Sequence, residues 1–228
     1  MLPSHIRIRG ARFALVLLLC LVAAACRIEK KSDDAAARGS APPPGGGYGN
    51  QAFDAKAQVV DIWESKVLPV LQAKAGDFVA LRADMKTNLD AAGEKYGHRS
   101  RAEGAPWNFA TRLKGRIVEV DTESSAGKIG VDVDGDGKAD ATVQIGPILR
   151  GTSLRDSMPF ISFTDYANQV EFAQVANAYN DQAYAVALKS LPRDALAGRQ
   201  IELLGVFTAD DPTEAPVITP VQVTLGGK

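Results

Sequence analysis

Histidine and cysteine are nearly absent from this chain of 228 residues, which holds two of each. His5 and Cys20 lie within the first 25 residues, which have the pattern of a cleaved export signal, so His98 and Cys26 remain in the mature chain. One cysteine excludes a disulfide within the chain, and one residue of each type cannot build a histidine- or cysteine-based zinc site. A Ser-His-Asp triad would need His98. Its segment, KYGHRSR, predicts a solvated loop.

Clustered positive charge is also missing. The export segment holds three of the 26 basic residues and none of the 27 acidic ones, so the mature chain has a net charge of −4. Binding to a phosphate backbone requires clustered lysines and arginines. The charge and the export signal therefore both argue against nucleic acid as a partner.

The N-terminal apolar run, from Phe13 to Ala25, has 13 residues, whereas a membrane-spanning helix needs about 20. Arginines precede the run and Ala-Ala-Ala-Cys ends it, which predicts a signal peptide over residues 1–25. Small residues before a cysteine resemble the lipobox of bacterial lipoproteins, in which a diacylglycerol is attached to the cysteine thiol. The resemblance implies a lipid on Cys26 and a periplasm-facing protein. Secretion after an Ala-x-Ala site is the alternative. Arg27, in place of aspartate, favours the outer membrane.

Residues 26–51 predict a flexible tether that starts at the lipid-bearing cysteine. The sequence is charged, then alanine-rich, then rich in proline and glycine, and it has too little apolar surface to fold. A flexible chain of this length spans about 25–30 Å on average. A single folded domain over residues 52–228 is therefore expected to work close to its membrane.

Helical spacing of apolar residues predicts a helical part over residues 52–106. The first helix follows Asn50 as an N-cap, and Pro69 is expected to kink or break it. Asp77 predicts the cap of a second helix, and Gly93 and Gly97 predict its end. These signals together predict an N-terminal helical pair.

After Pro106 the apolar period changes from 3.6 to 2, which predicts a β-rich part over residues 107–228. Pro220 predicts an edge or a bulge in the last strand. Helical spacing returns between the third and fourth strands, and this order predicts an α+β fold in which a five-stranded OB-like β-barrel carries a helical insert. An open α+β sheet is the alternative. The predicted strands are 115–121, 128–134, 141–145, 200–208 and 217–225.

The segment DVDGDGKAD is the most chemically distinctive part of the chain. Four aspartates occupy the first, third, fifth and ninth positions of a calcium-binding loop: Asp132, Asp134, Asp136 and Asp140. Gly137 supplies the turn at the sixth position, but Val143 replaces the glutamate of the twelfth, and no helix leads into the loop. A tight hairpin with solvated carboxylates is therefore one interpretation. The same hairpin holding a structural calcium ion is the other.

Aromatic and planar polar side chains are mixed over residues 146–169, a combination that suits a saccharide or a peptide. The residues that would hold such a ligand are Arg150, Thr152, Arg155, Asp156, Asn168 and Gln169. The alternative, which this pattern favours, is structural. In that interpretation Thr152 or Ser153 caps a helical turn, Arg155 pairs with Asp156, and the aromatic rings fill the barrel.

Over roughly residues 52–225 the chain resembles an uncharacterised family of predicted periplasmic lipoproteins. The resemblance is carried by FDAKAQVVDIWESKVLPVL, AAGEKYGHR, PWNF, VDVDGDGKADATVQIGPILRGTSLRDSMPFISF, NQVEFAQVANAYN and ITPVQV. Members are often encoded beside sugar ABC-transporter components, which implies an accessory role in solute uptake and a transporter component or sugar-binding protein as partner. The family supplies no catalytic residues, and its lipid-bearing cysteine corresponds to Cys26.

Two functional classes follow. The first is a lipid-anchored, non-catalytic accessory or binding protein, with no cofactor apart from a structural calcium ion. The second is a cell-envelope enzyme that acts on a saccharide, with Asp156 or Asp165 as acid and base. Because a single histidine and scattered acids give no spaced catalytic pair, the sequence favours the first class.

Overall fold

The computed structural model describes residues 53–227, so the predicted signal peptide, Cys26, the tether and Asn50 lie outside the described residues. Within that range helices come first, followed by three strands, a second helical region and two strands. The mixed α+β class predicted from the sequence is therefore confirmed. No helix between residues 53 and 227 is long and apolar enough to cross a membrane.

The first helical region is interrupted, but not at the proline. Helix α1, Ala55–Ile62, begins at Asp54, whose side chain caps it by accepting the N–H of Ala57 at 3.0 Å. A π-helical turn, Trp63–Val67, then leads into α2, Leu68–Lys74. Pro69 is the second residue of α2 and follows the π-helical turn with no break in the helix, so its missing N–H leaves a carbonyl group of that turn without its usual helical donor. The irregular π-helical turn therefore lies before Pro69, whereas the sequence predicted a kink or break at Pro69 itself.

The second predicted helix consists of two helices. Helix α3, Phe78–Thr87, is capped by Asp77 as predicted, and α4, Leu89–Tyr96, follows it. Asn88 separates the two because its backbone is extended while its side chain caps α4.

Gly93 does not end this helical region, contrary to the prediction. Helix α4 continues through it, and a Cβ at Gly93 would lie 2.2 Å from the Trp107 ring. The glycine therefore permits close packing of α4 on the indole, and α4 ends before Gly97.

Five longer strands pair in a closed ring, and two short strands extend it. The bounds are β1 Gly76–Asp77, β2 Gly97–His98, β3 Trp107–Asp121, β4 Lys128–Asp132, β5 Ala141–Gln144, β6 Gln200–Ala209 and β7 Val217–Leu225. β3 pairs antiparallel with β4 and β6, β4 with β5, and β6 with β7, while β5 and β7 pair in parallel. The short strands β1 and β2 add to β3.

Strand β3 closes the ring because its two ends pair with different neighbours. Its residues from Trp107 to Arg116 pair with β6, and those from Arg116 to Asp121 pair with β4. A Cβ at Gly115 would lie 2.3 Å from the carbonyl oxygen of Asp132, so glycine permits this close crossing. In β7 the predicted irregularity at Pro220 is present, as a register shift opposite Gly205.

The helical insert lies between β5 and β6. It contains a short helix α5, Ser153–Asp156, and a long helix α6, Gln169–Ala183, which continues as a π-helical turn over Tyr184–Leu188. Helix α6 packs on α1. The ring of Tyr179 in α6 lies 6.2 Å from the ring of Trp63, which begins the π-helical turn after α1.

The core joins the helices to the ring of strands. Phe109 of β3 and Phe207 of β6 are fully buried and stack with their ring centroids 5.4 Å apart. Trp63 and Trp107 are also buried. Burial raises the pKa of the Tyr179 hydroxyl far above its usual value.

Candidate ligand-binding clefts and the aspartate loop

The six predicted ligand residues do not share one site. Arg150 and Thr152 line one cleft, and Arg155 and Asp156 line another. Asn168 caps α6, accepting the N–H groups of Val170 and Glu171 at 2.9 and 3.0 Å. Gln169 is the exposed first residue of α6. Four of the six predicted residues are therefore divided between two separate clefts.

The larger of the two is the His98 cleft. It consists of two adjoining hollows of about 570 and 690 Å³ that share His98, Arg99, Arg101 and Asn108 in their lining. The segment after α4 contributes the first three of these residues, and β3 contributes Asn108. The first part of the insert, from α5 to Phe172 in α6, completes the larger hollow.

Arg155 is fixed in this cleft by three contacts. Its Nε and Nη2 atoms both lie 2.8 Å from Oδ1 of Asp156, and Nη1 donates to the carbonyl oxygen of Phe172 at 3.0 Å. The guanidinium carbon also lies 3.6 Å from the centre of the Phe172 ring. Arg155 is only 8% exposed, so these charge-assisted contacts hold it in one position. The local pairing predicted from the sequence is present.

His98 is oriented by a distant part of the chain. It is half-buried in β2 rather than in a solvated loop, so that prediction was wrong. Its Nδ1 atom lies 2.8 Å from the carbonyl oxygen of Asp156. Because a carbonyl oxygen only accepts, Nδ1 donates and carries the proton. In the neutral ring, Nε2 is then a free acceptor.

Arg99 and Arg101 add positive charge to both hollows. Nη1 of Arg99 lies 3.0 Å from Oδ1 of Asp90, and its guanidinium carbon lies 4.2 Å from the centre of the Trp107 ring. The indole Nε1 donates to the same Asp90 oxygen at 2.8 Å, which locks the arrangement. Arg101 is exposed and forms no ion pair with any other residue between 53 and 227.

Aromatic rings form one side of the larger hollow. Phe163 is 48% exposed and meets Phe172 edge to face, with centroids 5.4 Å apart. Tyr166 lies behind Phe172 at 5.5 Å and contacts Phe53 at 5.9 Å. Burial, and then the charge of Asp165, raise the pKa of the Tyr166 hydroxyl. The cleft thus combines exposed apolar ring surface with fixed cationic donors.

A second, more polar cleft of about 390 Å³ contains the other predicted residues. It is lined by Arg82, Arg150, Thr152 and the acidic loop between β6 and β7. Nη2 of Arg82 donates to the carbonyl oxygen of Glu214 at 2.7 Å, while its buried Nη1 has no hydrogen-bond partner among the described residues. Burial lowers the pKa of Arg82, and Asp211 opposes that shift. None of the described lining residues of this cleft is aromatic.

Three of the four predicted calcium ligands come together at the tip of the β4–β5 hairpin. One carboxylate oxygen each from Asp132, Asp134 and Asp136 lies within 4.8 Å of the others. Asp140 lies apart from this group and accepts the N–H of Val133 at 2.7 Å, at the base of the loop. The carboxylates are hard oxygen ligands of the kind that calcium prefers, so the group fits such an ion.

The aspartates also organise the loop without an ion. Asp132 accepts the N–H groups of Gly135 and Gly137 at 2.7 and 3.0 Å, and both glycines have a φ of 86°. Asp132 is buried, so the expectation that all the carboxylates are solvated was wrong for this residue. Hydrogen bonds from the backbone and side chain of Lys138 lower the pKa of Asp136. Eight residues separate β4 from β5, so the connection is longer than a two-residue turn.

The fold is that of a known structural class. The structure matches an OB-fold protein from Thermotoga maritima MSB8 (tm0957) with a TM-score of 0.62 and 17% sequence identity, covering 77% of this chain and 100% of that chain. The chain therefore has an OB-like α+β fold. No curated protein matches it in sequence.

The family is shown by the sequence itself. The family model described as "Predicted periplasmic lipoprotein (DUF2291)" matches residues 15–224, and the chain belongs to this family. The protein is accordingly periplasmic and anchored to a membrane, as predicted.

Proposed function

We propose that this protein is a non-catalytic accessory lipoprotein that binds a small solute in the His98 cleft and serves a sugar ABC transporter. The observation that carries the binding role is the fixed geometry of Arg155, which is held by Asp156, the Phe172 carbonyl group and the Phe172 ring. A preorganised donor beside exposed aromatic surface binds a ligand at little entropic cost. The transporter as partner is proposed from the gene neighbourhood that the family resemblance implies.

The distribution of carboxylates supports binding over saccharide hydrolysis. Asp156 is the one acidic residue among the described residues that line the larger hollow, and Arg155 engages one of its oxygens. Asp165 is not in that lining, and its Oδ2 accepts the N–H of Ser162 at 3.0 Å within its own turn. Glycoside hydrolysis needs two carboxyl groups that face each other across the bond to be cleaved. The two acids named for the enzyme alternative do not form such a pair in this cleft.

We also propose that the ring of five strands is a closed OB-type barrel that serves as a scaffold. Its pairing order supports this, because β3 bonds to both β4 and β6 and no strand of the ring lacks a second neighbour. The segments before β3, the start of β3 itself and the insert after β5 then supply the side chains of the cleft.

The transporter partnership is tested by co-purification of the full-length lipoprotein from detergent-solubilised membranes after mild cross-linking. The matched control is residues 1–51 of this chain fused to an unrelated folded domain, because it keeps the proposed anchor and tether. We expect a permease subunit or a substrate-binding protein with the wild type alone. Equal recovery with the control, or no transporter component in either sample, would contradict the proposal.

A further inference from the structure

The His98 cleft has an excess of positive charge in a chain whose net charge is −1. Its two hollows are lined by four cationic and two acidic side chains: Lys74, Arg99, Arg101 and Arg155 against Glu94 and Asp156. The lining therefore carries two more positive than negative charges, with His98 counted as neutral. A local excess of this kind concentrates anions at the mouth of a cleft.

Several donors of the lining remain available to a ligand. A guanidinium group has five N–H bonds, and the hydrogen bonds of Arg155 to Asp156 and to the carbonyl oxygen of Phe172 use two of them, while Nη2 also lies 2.8 Å from the Asp156 oxygen. Arg101 has no ion-pair partner among the described residues. Lys74 donates one N–H to the carbonyl oxygen of Glu94 at 3.0 Å, and Arg99 donates one to Asp90 at 3.0 Å. Arg101 and the remaining N–H groups of Arg155 are therefore available to a ligand, together with those that Arg99 and Lys74 do not use.

We propose that the solute bound in the His98 cleft is a small saccharide that carries a carboxylate or a phosphate group. This inference rests on the proposed binding function and adds the chemical class of the ligand. An anionic group accepts charge-assisted hydrogen bonds from Arg101 and Arg155, which a neutral hydroxyl group accepts less strongly. The C–H face of a sugar ring packs on the exposed side of Phe163, which forms the other side of the hollow.

A phosphate group could also belong to a lipid headgroup, since the protein is anchored to a membrane. The burial of Arg155 inside the hollow favours a soluble ligand over a membrane lipid. Arg155 is 8% exposed, so a ligand must enter the hollow to reach it, whereas the headgroup of a bilayer lipid is held at the surface by its acyl chains. The experiment therefore includes a lipid with short chains that is free to enter.

The test is calorimetric titration of the full-length protein in a non-ionic detergent at low salt. Glucuronate and glucose 6-phosphate are the anionic probes, glucose is the neutral one, and dihexanoyl-phosphatidylglycerol is the lipid probe. We expect at least one anionic sugar to bind at least about tenfold more tightly than glucose. One additional charge-assisted hydrogen bond is enough to produce an affinity ratio of that size. Its affinity falls as salt is added.

Two charge-matched variants locate the binding site. Arg101→Gln removes a cation that has no ion-pair partner among the described residues and should weaken binding of the anionic sugar about tenfold, with the affinity for glucose unchanged. Lys189→Gln makes the same charge change at an exposed residue that lines neither hollow and should leave both affinities unchanged. Equal effects of the two variants would overturn the assignment of the anion to this cleft.

Three other results would overturn the inference. Glucose binds as tightly as the anionic sugars, or neither anionic sugar binds at millimolar concentration, or the lipid probe alone binds. If glucose binds as tightly, the proposed solute-binding function still holds and only the anionic class of the ligand is wrong. Co-purification with a transporter component is measured separately, so a failure of the proposed function is distinguishable from a failure of this inference.

Discussion

At the scale of single residues, His98 shows which contacts of the site could not be predicted from the sequence. Its neighbours Arg99 and Arg101 suggested a solvated loop, yet its ring is fixed by a carbonyl group 58 residues away. By contrast, the pairing of Arg155 with Asp156 is a contact between adjacent residues and could be predicted. Local patterns reveal local contacts, whereas the partner of His98 depends on how the insert folds over β2.

The orientation of His98 can be tested with two substitutions. An asparagine side chain places an N–H donor close to the position of Nδ1, so His98→Asn should retain the bond to the Asp156 carbonyl group. His98→Ala leaves that oxygen without a donor and should lower the free energy of unfolding by about 1 kcal/mol relative to His98→Asn. Urea unfolding of both variants measures the difference. Identical midpoints and slopes for the two variants would show that the bond contributes nothing to stability.

Calcium binding by the aspartate loop remains a prediction. Asp132, Asp134 and Asp136 should hold the ion at the tip of the hairpin, with a dissociation constant of about 10⁻⁴–10⁻³ M, as in extracellular modules. A hundredfold excess of calcium over this constant stabilises the folded state by about 2.7 kcal/mol. The melting temperature should therefore rise by several degrees over that in chelator.

The control for this measurement is a second aspartate variant. Asp134→Ala should abolish the calcium-dependent shift, whereas Asp61→Ala, at an exposed position of α1, should retain it. Superimposable melting curves of the wild type in calcium and in chelator would leave only the interpretation of a hairpin organised by its own hydrogen bonds.

At the scale of secondary structure, patterning located the later strands well but missed the beginning of β3. The alternation of buried and exposed residues starts only after Thr111, because the five residues from Trp107 to Thr111 are all buried. A segment covered on both faces has no period of two, so its sequence does not distinguish a strand from a buried helix. The break at Asn88 was missed for another reason, since the helical spacing of apolar residues continues across it from Met85 to Leu89 and Ala92, although asparagine is a favoured N-cap.

The crossing of β3 and β4 depends on one glycine. Gly115→Ala should destabilise the fold by about 2 kcal/mol or more, because the new methyl group meets a backbone carbonyl group that cannot rotate away. Gly227→Ala is the control, since a Cβ there has no neighbour within 4 Å. Chemical unfolding of both variants gives the comparison. If Gly115→Ala is as stable as the control, β3 and β4 do not approach each other as closely as described.

At the scale of the whole molecule, family membership places the protein at a membrane, and the sequence predicts Cys26 as the anchor. Cells fed with labelled palmitate should incorporate it into the wild-type protein and not into Cys26→Ala. Cys20→Ala is the matched control, because Cys20 lies within the apolar run of the predicted signal peptide. Equal labelling of the wild type and Cys26→Ala would show that the lipid is attached elsewhere.

The double pairing of β3 also determines when the domain can finish folding. β3 is the first long strand of the described residues, but its partner β6 and the strand β7 lie in the last 29 residues. Until those residues have been exported, the open hydrogen-bonding edges of β3 and β5 are available to other chains. Because the pairs that complete the ring are so distant in sequence, they form late and slowly. A chain that ends before Gln200 should therefore aggregate rather than fold, and complete export is a condition for the ring to close.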